Sequence, residues 1–413
     1  MRRKFPLVPI SLFIGLFLFI SWYALSGLET VIQMPYISVV FWSISILSLA
    51  AVIYTIQRMG SKGTDSFFQV STHFFLIFFV SELVFALLLL VGDIYRGTFG
   101  IFNLIVAHNF LSPARSPYWI GFSLSIFITF TCLFLYGILR GKYAYRVIRH
   151  QLYFDDLPPS FDGFTISQIS DVHAGSFTNA RSVQKGIDLI KAQNSDLFVF
   201  TGDLVNNKAE EIKPWISYFS QIKAPHGQFS ILGNHDYGDY VKWNSEYAKR
   251  ENLEQLKKYH ADLGFRLLLD EHVTIQKNGA SIKLLGVENW GLGFGERGNV
   301  EKALSGTSSS DFKILLSHDP SHWETIVKKH PSKIDLTLAG HTHGMQFGIE
   351  AFGVKWSPVK YRYKHWAGVK EENRRVLNVN RGFGFIGFSG RVGIWPEITV
   401  IELKRASSNH EKS

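Results

Sequence analysis

Four stretches of the chain, 5–28, 31–56, 74–91 and 118–139, are apolar almost without interruption. A helix needs roughly 20 apolar residues to cross about 30 Å of hydrocarbon, so each stretch is long enough to span a bilayer with some tilt. The first, second and fourth contain no Asp, Glu, Lys or Arg, whereas a helix in a soluble core carries a polar stripe. The pattern predicts an all-α transmembrane region of four helices. With a basic linker it occupies residues 1–150, followed by a polar α/β domain over 151–405 and a disordered tail at 406–413. Arg2, Arg3 and Lys4 give the first run the positive start of a secretory signal, but the run is long and no Ala-x-Ala pattern follows, so an uncleaved span is expected.

Basic residues cluster before the first span (Arg2, Arg3, Lys4), between the second and third (Arg58, Lys62) and after the fourth (Arg140, Lys142, Arg146, Arg149). With four spans these segments share one side, and the positive-inside rule places the polar domain in the cytoplasm. Glu29 and the group Asp93, Arg96 and Arg115 fall on the other side. A fifth crossing at 98–110 would reverse the orientation. The single cysteine, Cys132, permits no intramolecular disulfide, which is compatible with a reducing compartment. Glu82 lies inside the third run, where a carboxyl group is costly; helix–helix hydrogen bonding with Ser81 or with serines of the second run is the favoured reading.

The net charge of +9 and the pI near 9.3 are concentrated in segments flanking the spans. There each cation contributes on the order of 1 kcal/mol toward anionic head groups. No recognition helix, zinc finger or RNP-like segment accompanies the charge, so the partners expected are a lipid bilayer and no nucleic acid polymer.

The polar domain repeats one pattern, a short strand followed by a turn bearing oxygen or imidazole donors. The segment 164–170 alternates as a strand and delivers Asp171-Val-His173. Residues 197–201 lead to Gly202-Asp203, 227–232 to Gly233-Asn234-His235-Asp236, 313–317 to His318-Asp319, and 334–338 to Gly340-His341-Thr-His343. Helical periodicity over 180–192 puts Val183, Ile187 and Ile190 on one face. Side chains two apart on extended chain point alike, so Asp171/His173 and His341/His343 each present a pair of donors. Carboxylate, carboxamide and imidazole together suit manganese, iron or zinc better than calcium.

These five segments in this order resemble the signature of the calcineurin-like metallophosphoesterase superfamily. The resemblance covers roughly 161–403, and the closing stretch from Asn380 resembles its membrane-associated bacterial branch. It implies two facing β-sheets flanked by helices and a site for two divalent cations. Asp171, His173, Asp203 and His343 would hold one cation, and Asp203, Asn234, His318 and His341 the other. It further implies that a hydroxide activated between the cations attacks phosphorus in line. His235 would protonate the leaving oxygen or stabilise the transition state, with Asp236 as its orienting partner. Residues 204–208 and Asp236 depart from the Gly-Asp-x-Val-Asp-Arg-Gly and Gly-Asn-His-Glu segments of protein phosphatases, which disfavours a Ser/Thr phosphatase.

Tethering to four spans raises the effective concentration of amphipathic substrates. The expected activity is therefore hydrolysis of a phosphodiester or pyrophosphate in a lipid-linked substrate. A phosphodiesterase for soluble nucleotides, with the spans as anchor or sensor, is the alternative. The Gly-rich segment 382–390 carries Phe383, Phe385, Ile386 and Phe388, which either reach a bilayer or acyl chain or form a buried turn. Trp356, Tyr361, Tyr363 and Trp366 form a second aromatic group, serving a base, a sugar or the core. Residues 237–259 are read as a helical cap over the substrate or as ordinary helix packing.

Overall fold

In this computed structural model, residues 7–62, 66–351 and 353–406 are described; Arg2, Arg3, Lys4 and the tail from 407 onward lie outside them. The chain divides into two compact units, Met1–Tyr136 and Gly137–Ser413.

In the first unit the apolar runs become helices α1 (Leu7–Leu28), α2 (Ile37–Lys62), α3 (Ser66–Ala107) and α4 (Pro117–Leu139). Each is long and apolar enough to cross a membrane. Pro117 opens α4, where a missing N–H costs nothing. Helix α3 has 42 residues, a rise of roughly 63 Å at about 1.5 Å per residue, so the expected span 74–91 is only its middle. The stretch weighed as a fifth crossing instead continues α3 to Ala107. The chain then folds back along it: Asn103 Nδ2 donates to Leu111 O at 2.7 Å and Ser112 Oγ to Arg96 O at 3.0 Å. Asp93 and Arg96 therefore sit on helix rather than loop. The Asp93 carboxylate accepts from Tyr23 at 2.8 Å, Arg96 at 2.8 Å and Arg115 at 2.5 Å. Glu82 is buried, and its carboxyl oxygens have no hydrogen-bond partner among the described residues. Ser81, expected to bond it, instead accepts from Thr131 at 3.1 Å.

The second unit contains β1 (Arg146–Phe154), β2 (Thr165–Ile169), β3 (Leu197–Phe200), β4 (Gln228–Ser230), β5 (Arg266–Leu267), β6 (Glu271–Lys277), β7 (Ala280–Gly286), β8 (Trp290–Gly291), β9 (Gly295–Glu296), β10 (Lys313–Leu316), β11 (Leu336–Ala339), β12 (Ile349–Ala351), β13 (Val354–Trp356), β14 (Gly368–Glu372), β15 (Arg375–Val379) and β16 (Glu397–Arg405). One sheet runs β1-β16-β2-β3-β4-β5 and the other β14-β15-β11-β10-β7-β6. In each, the central strands that precede the donor turns are parallel: β2, β3 and β4 in the first, β10 and β11 in the second. The segment 140–153, expected as a linker, is largely strand β1, which pairs in parallel with β16 along its whole length.

The sheets bury their inner faces against each other. Ile166, Val199 and Phe229 from one meet Leu284, Ile314 and Leu338 from the other, each such side chain contributing about 1.5–3 kcal/mol on burial. Helices α5 (Ala180–Lys191), α6 (Ile216–Phe219) and α7 (Glu246–Asp262) cover the outer face of the first sheet through Val183, Ile187, Phe219 and Leu256. Helices α8 (Val300–Leu304) and α9 (Pro320–Thr325) cover the second through Val300, Ala303 and Trp323. Asn179 starts α5 by accepting from Ser182 N at 2.9 Å, which satisfies one of the free donors at a helix start. Helix α7 thus packs on the sheet, so the reading of 237–259 as a cap fails for its helical part. Phe383 and Phe385 are core residues, with Tyr145 stacked on Phe383 at 4.4 Å, and neither is free to enter a bilayer.

Candidate metal centre

Parallel strands present their carboxyl ends along one edge, and the following residues converge there. β2 leads to Asp171 and His173, β3 to Asp203, β4 to Asn234, β10 to His318, and β11 to His341 and His343. Asp171, His173, Asp203, His341 and His343 all have positive φ, at 53°, 46°, 61°, 71° and 50°. Asp and His tolerate this left-handed conformation better than most residues, yet it costs on the order of 1–3 kcal/mol. Five such residues in three neighbouring turns identify an edge shaped for something other than stability.

All seven side chains expected as ligands come together. Asp171, His173 and His343 form one group and Asp203, His318 and His341 another, each with candidate ligand atoms within 4.8 Å. His343 Nε2 is 3.2 Å from Asp171 Oδ1 and 3.0 Å from His173 Nε2. Asp203 Oδ2 lies between the groups, 3.6 Å from His173 Nε2 and 3.2 Å from His318 Nε2. Asn234 Oδ1 joins the second group, 2.9 Å from His341 Nδ1.

The hydrogen bonds behind these atoms test whether a cation fits. His318 Nδ1 faces Thr201 O at 2.7 Å, so it carries the proton and leaves a lone pair on Nε2, aimed at the Asp203 carboxylate. His341 Nε2 faces Tyr363 OH at 2.9 Å, and that hydroxyl donates to Asp319 Oδ2 at 3.1 Å. The His341 proton is therefore on Nε2 and its lone pair on Nδ1. Asn234 Nδ2 donates to Tyr240 OH at 2.8 Å, turning its carbonyl oxygen toward that lone pair. Acceptor faces acceptor at both places, the arrangement a divalent cation resolves. The residues present fit a metal.

The electrostatics agree. Burial pulls the His173 and His341 imidazoles below their usual value, which keeps their lone pairs available. Burial would lift Asp171 and Asp203, but the neighbouring His343 and His318 respectively outweigh it and hold both carboxylates low. Burial also acts against charge on His318, yet the Asp203 carboxylate raises it to about 10, so the Nε2 lone pair attracts a proton, which a bound cation would replace.

His235 is half-buried at the rim. Its backbone N–H donates to Asp203 Oδ1 at 2.8 Å, and its Nδ1 faces Asn206 O at 2.8 Å. The orienting contact expected from Asp236 is thus made by the Asn206 carbonyl. Asp236 is buried and faces the other way: its Oδ2 accepts from the N–H groups of Asp203 and Gly233, both at 2.9 Å, and its Oδ1 from Leu204 at 2.8 Å and Val205 at 3.2 Å. It ties together the two loops that carry Asp203 and Asn234. Burial and the Asp203 carboxylate push Asp236 up to about 7, with the N–H donors pulling the other way.

The role of Asp319 and Tyr363 behind His341 was not expected. They fix the tautomer of His341, as carboxylates behind metal-bound imidazoles do. Asp319 was in view beside His318, but nothing local pairs it with Tyr363. Buried Arg391 places Nη2 3.2 Å from His343 Nδ1 and also donates to Gly384 O at 2.6 Å. A cleft of ≈ 450 Å³ opens over the centre, walled by Phe294, Met345, Pro358, Tyr361, Arg362 and Ile386.

A family model described as "Calcineurin-like phosphoesterase" matches residues 164–345, and another, "Probable Calcineurin-like phosphoesterase, transmembrane domain", matches residues 3–142. An uncharacterized metallophosphoesterase, YkuE of Bacillus subtilis (strain 168), is 30% identical over 274 residues, covering 65% of this chain and 90% of the relative. The chain belongs to the calcineurin-like metallophosphoesterase family: it is a membrane protein and a metal-dependent phosphoesterase that uses divalent metal ions. A Danio rerio "Transmembrane protein with metallophosphoesterase domain" is 26% identical over 288 residues, 68% of this chain and 62% of the relative. An uncharacterized metallophosphoesterase of Aquifex aeolicus (strain VF5) is 27% identical over 279 residues, 65% and 97% of the two chains.

Proposed function

We propose that the protein is a membrane-anchored phosphohydrolase with a dinuclear centre, cleaving a phosphodiester or pyrophosphate of a lipid-linked substrate on the cytoplasmic side. The observation that carries this reading is the position of Asp203 between two donor groups, with acceptor atoms opposed on either side. Asp171, His173, Asp203 and His343 would hold one cation, and Asp203, Asn234, His318 and His341 the other. The mixture of donors suits manganese, iron or zinc. When bound, such cations supply Lewis acidity and a water nucleophile ionised near neutral pH.

The remaining work falls to the chain. Asp319 and Tyr363 hold His341 in one tautomer, and Asp236 fixes the loops bearing Asp203 and Asn234. The Asn206 carbonyl keeps the proton of His235 on Nδ1, so the imidazolium form presents Nε2–H to the leaving oxygen. Two features support a lipid-linked substrate. Helix α4 is separated from β1 only by residues 140–145, and the cleft wall includes Met345 at 58% and Tyr361 at 78% exposure, apolar surface suited to an amphiphile.

The test is turnover of bis-p-nitrophenyl phosphate by the purified full chain supplied with manganese, iron or zinc. Detergent-dispersed lipid phosphates and cyclic nucleotides are then compared. Activity with a preference for the lipid substrates is expected. Inactivity with every divalent metal overturns the enzymatic reading, and a preference for cyclic nucleotides overturns the lipid-linked one.

A further inference from the structure

Arg362 stands where two cavities meet. One is the cleft over the metal centre; the other, of ≈ 590 Å³, is lined by Ser321, Glu324, Lys364 and His365, with Arg362 and Tyr363 common to both. The Arg362 guanidinium carbon lies 4.6 Å from the centre of the Phe294 ring, and that ring is 4.6 Å from the ring of His341. The guanidinium is therefore within about 9 Å of the His341 ring.

Its charge is left open. Among the described residues no carboxylate forms an ion pair with Arg362. Glu324, the acid of the second cavity, is paired with Lys328 at 2.5 Å. Two other arginines of this unit differ. Arg297 also lies over an aromatic ring, Tyr237 at 4.1 Å, but is neutralised by Asp239 at 2.8 Å. Arg381 is neutralised by Glu350 and Glu397. Stacking on Phe294 orients the planar guanidinium without cancelling its charge. An oriented, unpaired guanidinium beside a phosphoryl site is a receptor for a second phosphoryl group, which it matches through paired N–H donors.

Resting on the proposed phosphohydrolase activity, we infer that Arg362 binds a second anionic group next to the scissile one, so that the substrate is a diphosphate diester rather than a simple phosphodiester. In the reaction, the oxygen of water bonds to the phosphorus at the metal centre and the bridging P–O bond breaks. The departing phosphate takes the electron pair at the side of Arg362. Two monophosphates form, and the protons of the water pass to the products and solvent. The second cavity receives the substituent of the departing phosphate.

The experiment measures inhibition of bis-p-nitrophenyl phosphate turnover by the full chain at constant free manganese. Methylenediphosphonate is expected to inhibit at least tenfold more tightly than methylphosphonate. Arg362→Gln removes that preference, and Arg362→Lys restores part of it. CDP-choline and CDP-diacylglycerol, offered as substrates, separate a soluble from a lipid-linked source, and the KM for the one cleaved should rise at least tenfold in Arg362→Gln. Equal inhibition by the two phosphonates, or an equal loss in Arg362→Gln for all compounds, overturns the inference. Inactivity of the wild type toward bis-p-nitrophenyl phosphate overturns the underlying reading instead.

Discussion

Replacing Asp236 by Ala separates two roles that adjacency to His235 confuses. The carboxylate accepts four buried backbone N–H groups, from Asp203, Leu204, Val205 and Gly233. A buried donor stripped of its partner costs roughly 1–3 kcal/mol. Taking about 1 kcal/mol for each, because water will enter the space left by the side chain, the variant should lose about 4 kcal/mol. At about 2–4 °C per kcal/mol for a domain of this size, the melting temperature should fall by roughly 8–16 °C. The affected N–H groups belong to the loops bearing Asp203 and Asn234, so metal content should fall as well. His235→Ala should do the opposite, cutting turnover by about 10²–10⁴ with little change in melting temperature or metal content. Near-ultraviolet circular dichroism during heating, with metal analysis of the same detergent-solubilised samples, reads both quantities. An Asp236→Ala protein that melts within 2 °C of the wild type and keeps its metal, yet loses turnover as His235→Ala does, would refute the structural role and reinstate Asp236 as a partner of His235.

Asp319→Ala removes the acceptor of the Tyr363 hydroxyl that holds His341, and should weaken metal binding by about 10–100-fold; an unchanged affinity in a metal titration contradicts this. In Gly340→Ala the new methyl group would press on the Ser170 side chain and Asp171 Oδ2, so metal should be lost from the Asp171 group, and retention of full metal content would count against the geometry. His260 is buried, with Nδ1 bonded to Ser230 and Nε2 without a partner among the described residues, and burial lowers it from 6.5 to about 3. The unfolded chain takes up a proton below 6.5 that the folded chain refuses. The stability due to neutral His260 is thus intact above pH 6.5 and falls by about 1.4 kcal/mol per pH unit as the pH drops toward 3. His260→Gln should flatten the acid decline in melting temperature between pH 7 and 4, and parallel curves for variant and wild type would exclude this cause.

The donor side chains were legible in the sequence because the rule that gathers them is local. A short apolar strand ends, a Gly-assisted turn follows, and parallel neighbours end on the same edge, which brings Asp171, Asp203 and Asn234 together without knowledge of strand order. The readings that failed needed contacts between distant residues or the direction of a turn. β1 was taken as linker because its partner, β16, lies at the other end of the domain. Asp236 follows His235 in sequence, but the 3-10 turn His235–Tyr237 aims the two side chains at different groups, Asp236 at the N–H donors of Asp203, Leu204, Val205 and Gly233 and His235 at the Asn206 carbonyl. The length of α3 was underestimated because Asp93 and Arg96 look like a boundary. They remain on the helix because Asp93 pairs with Arg96 and with Arg115, so charge there ends neither the helix nor its apolar course. Phe383 and Phe385 show the opposite limit: glycine spacing suggested mobility, while packing against Tyr145, Phe177 and Phe219 makes them core.

Metal stoichiometry in the purified full chain tests the central claim, that Asp203 joins two donor groups into one dinuclear centre. Mass spectrometric metal analysis should give two divalent ions per wild-type chain, and Asp203→Asn should lower the occupancy of both positions. A wild-type chain holding a single ion at saturation, or an Asp203→Asn chain that still holds two, would contradict it.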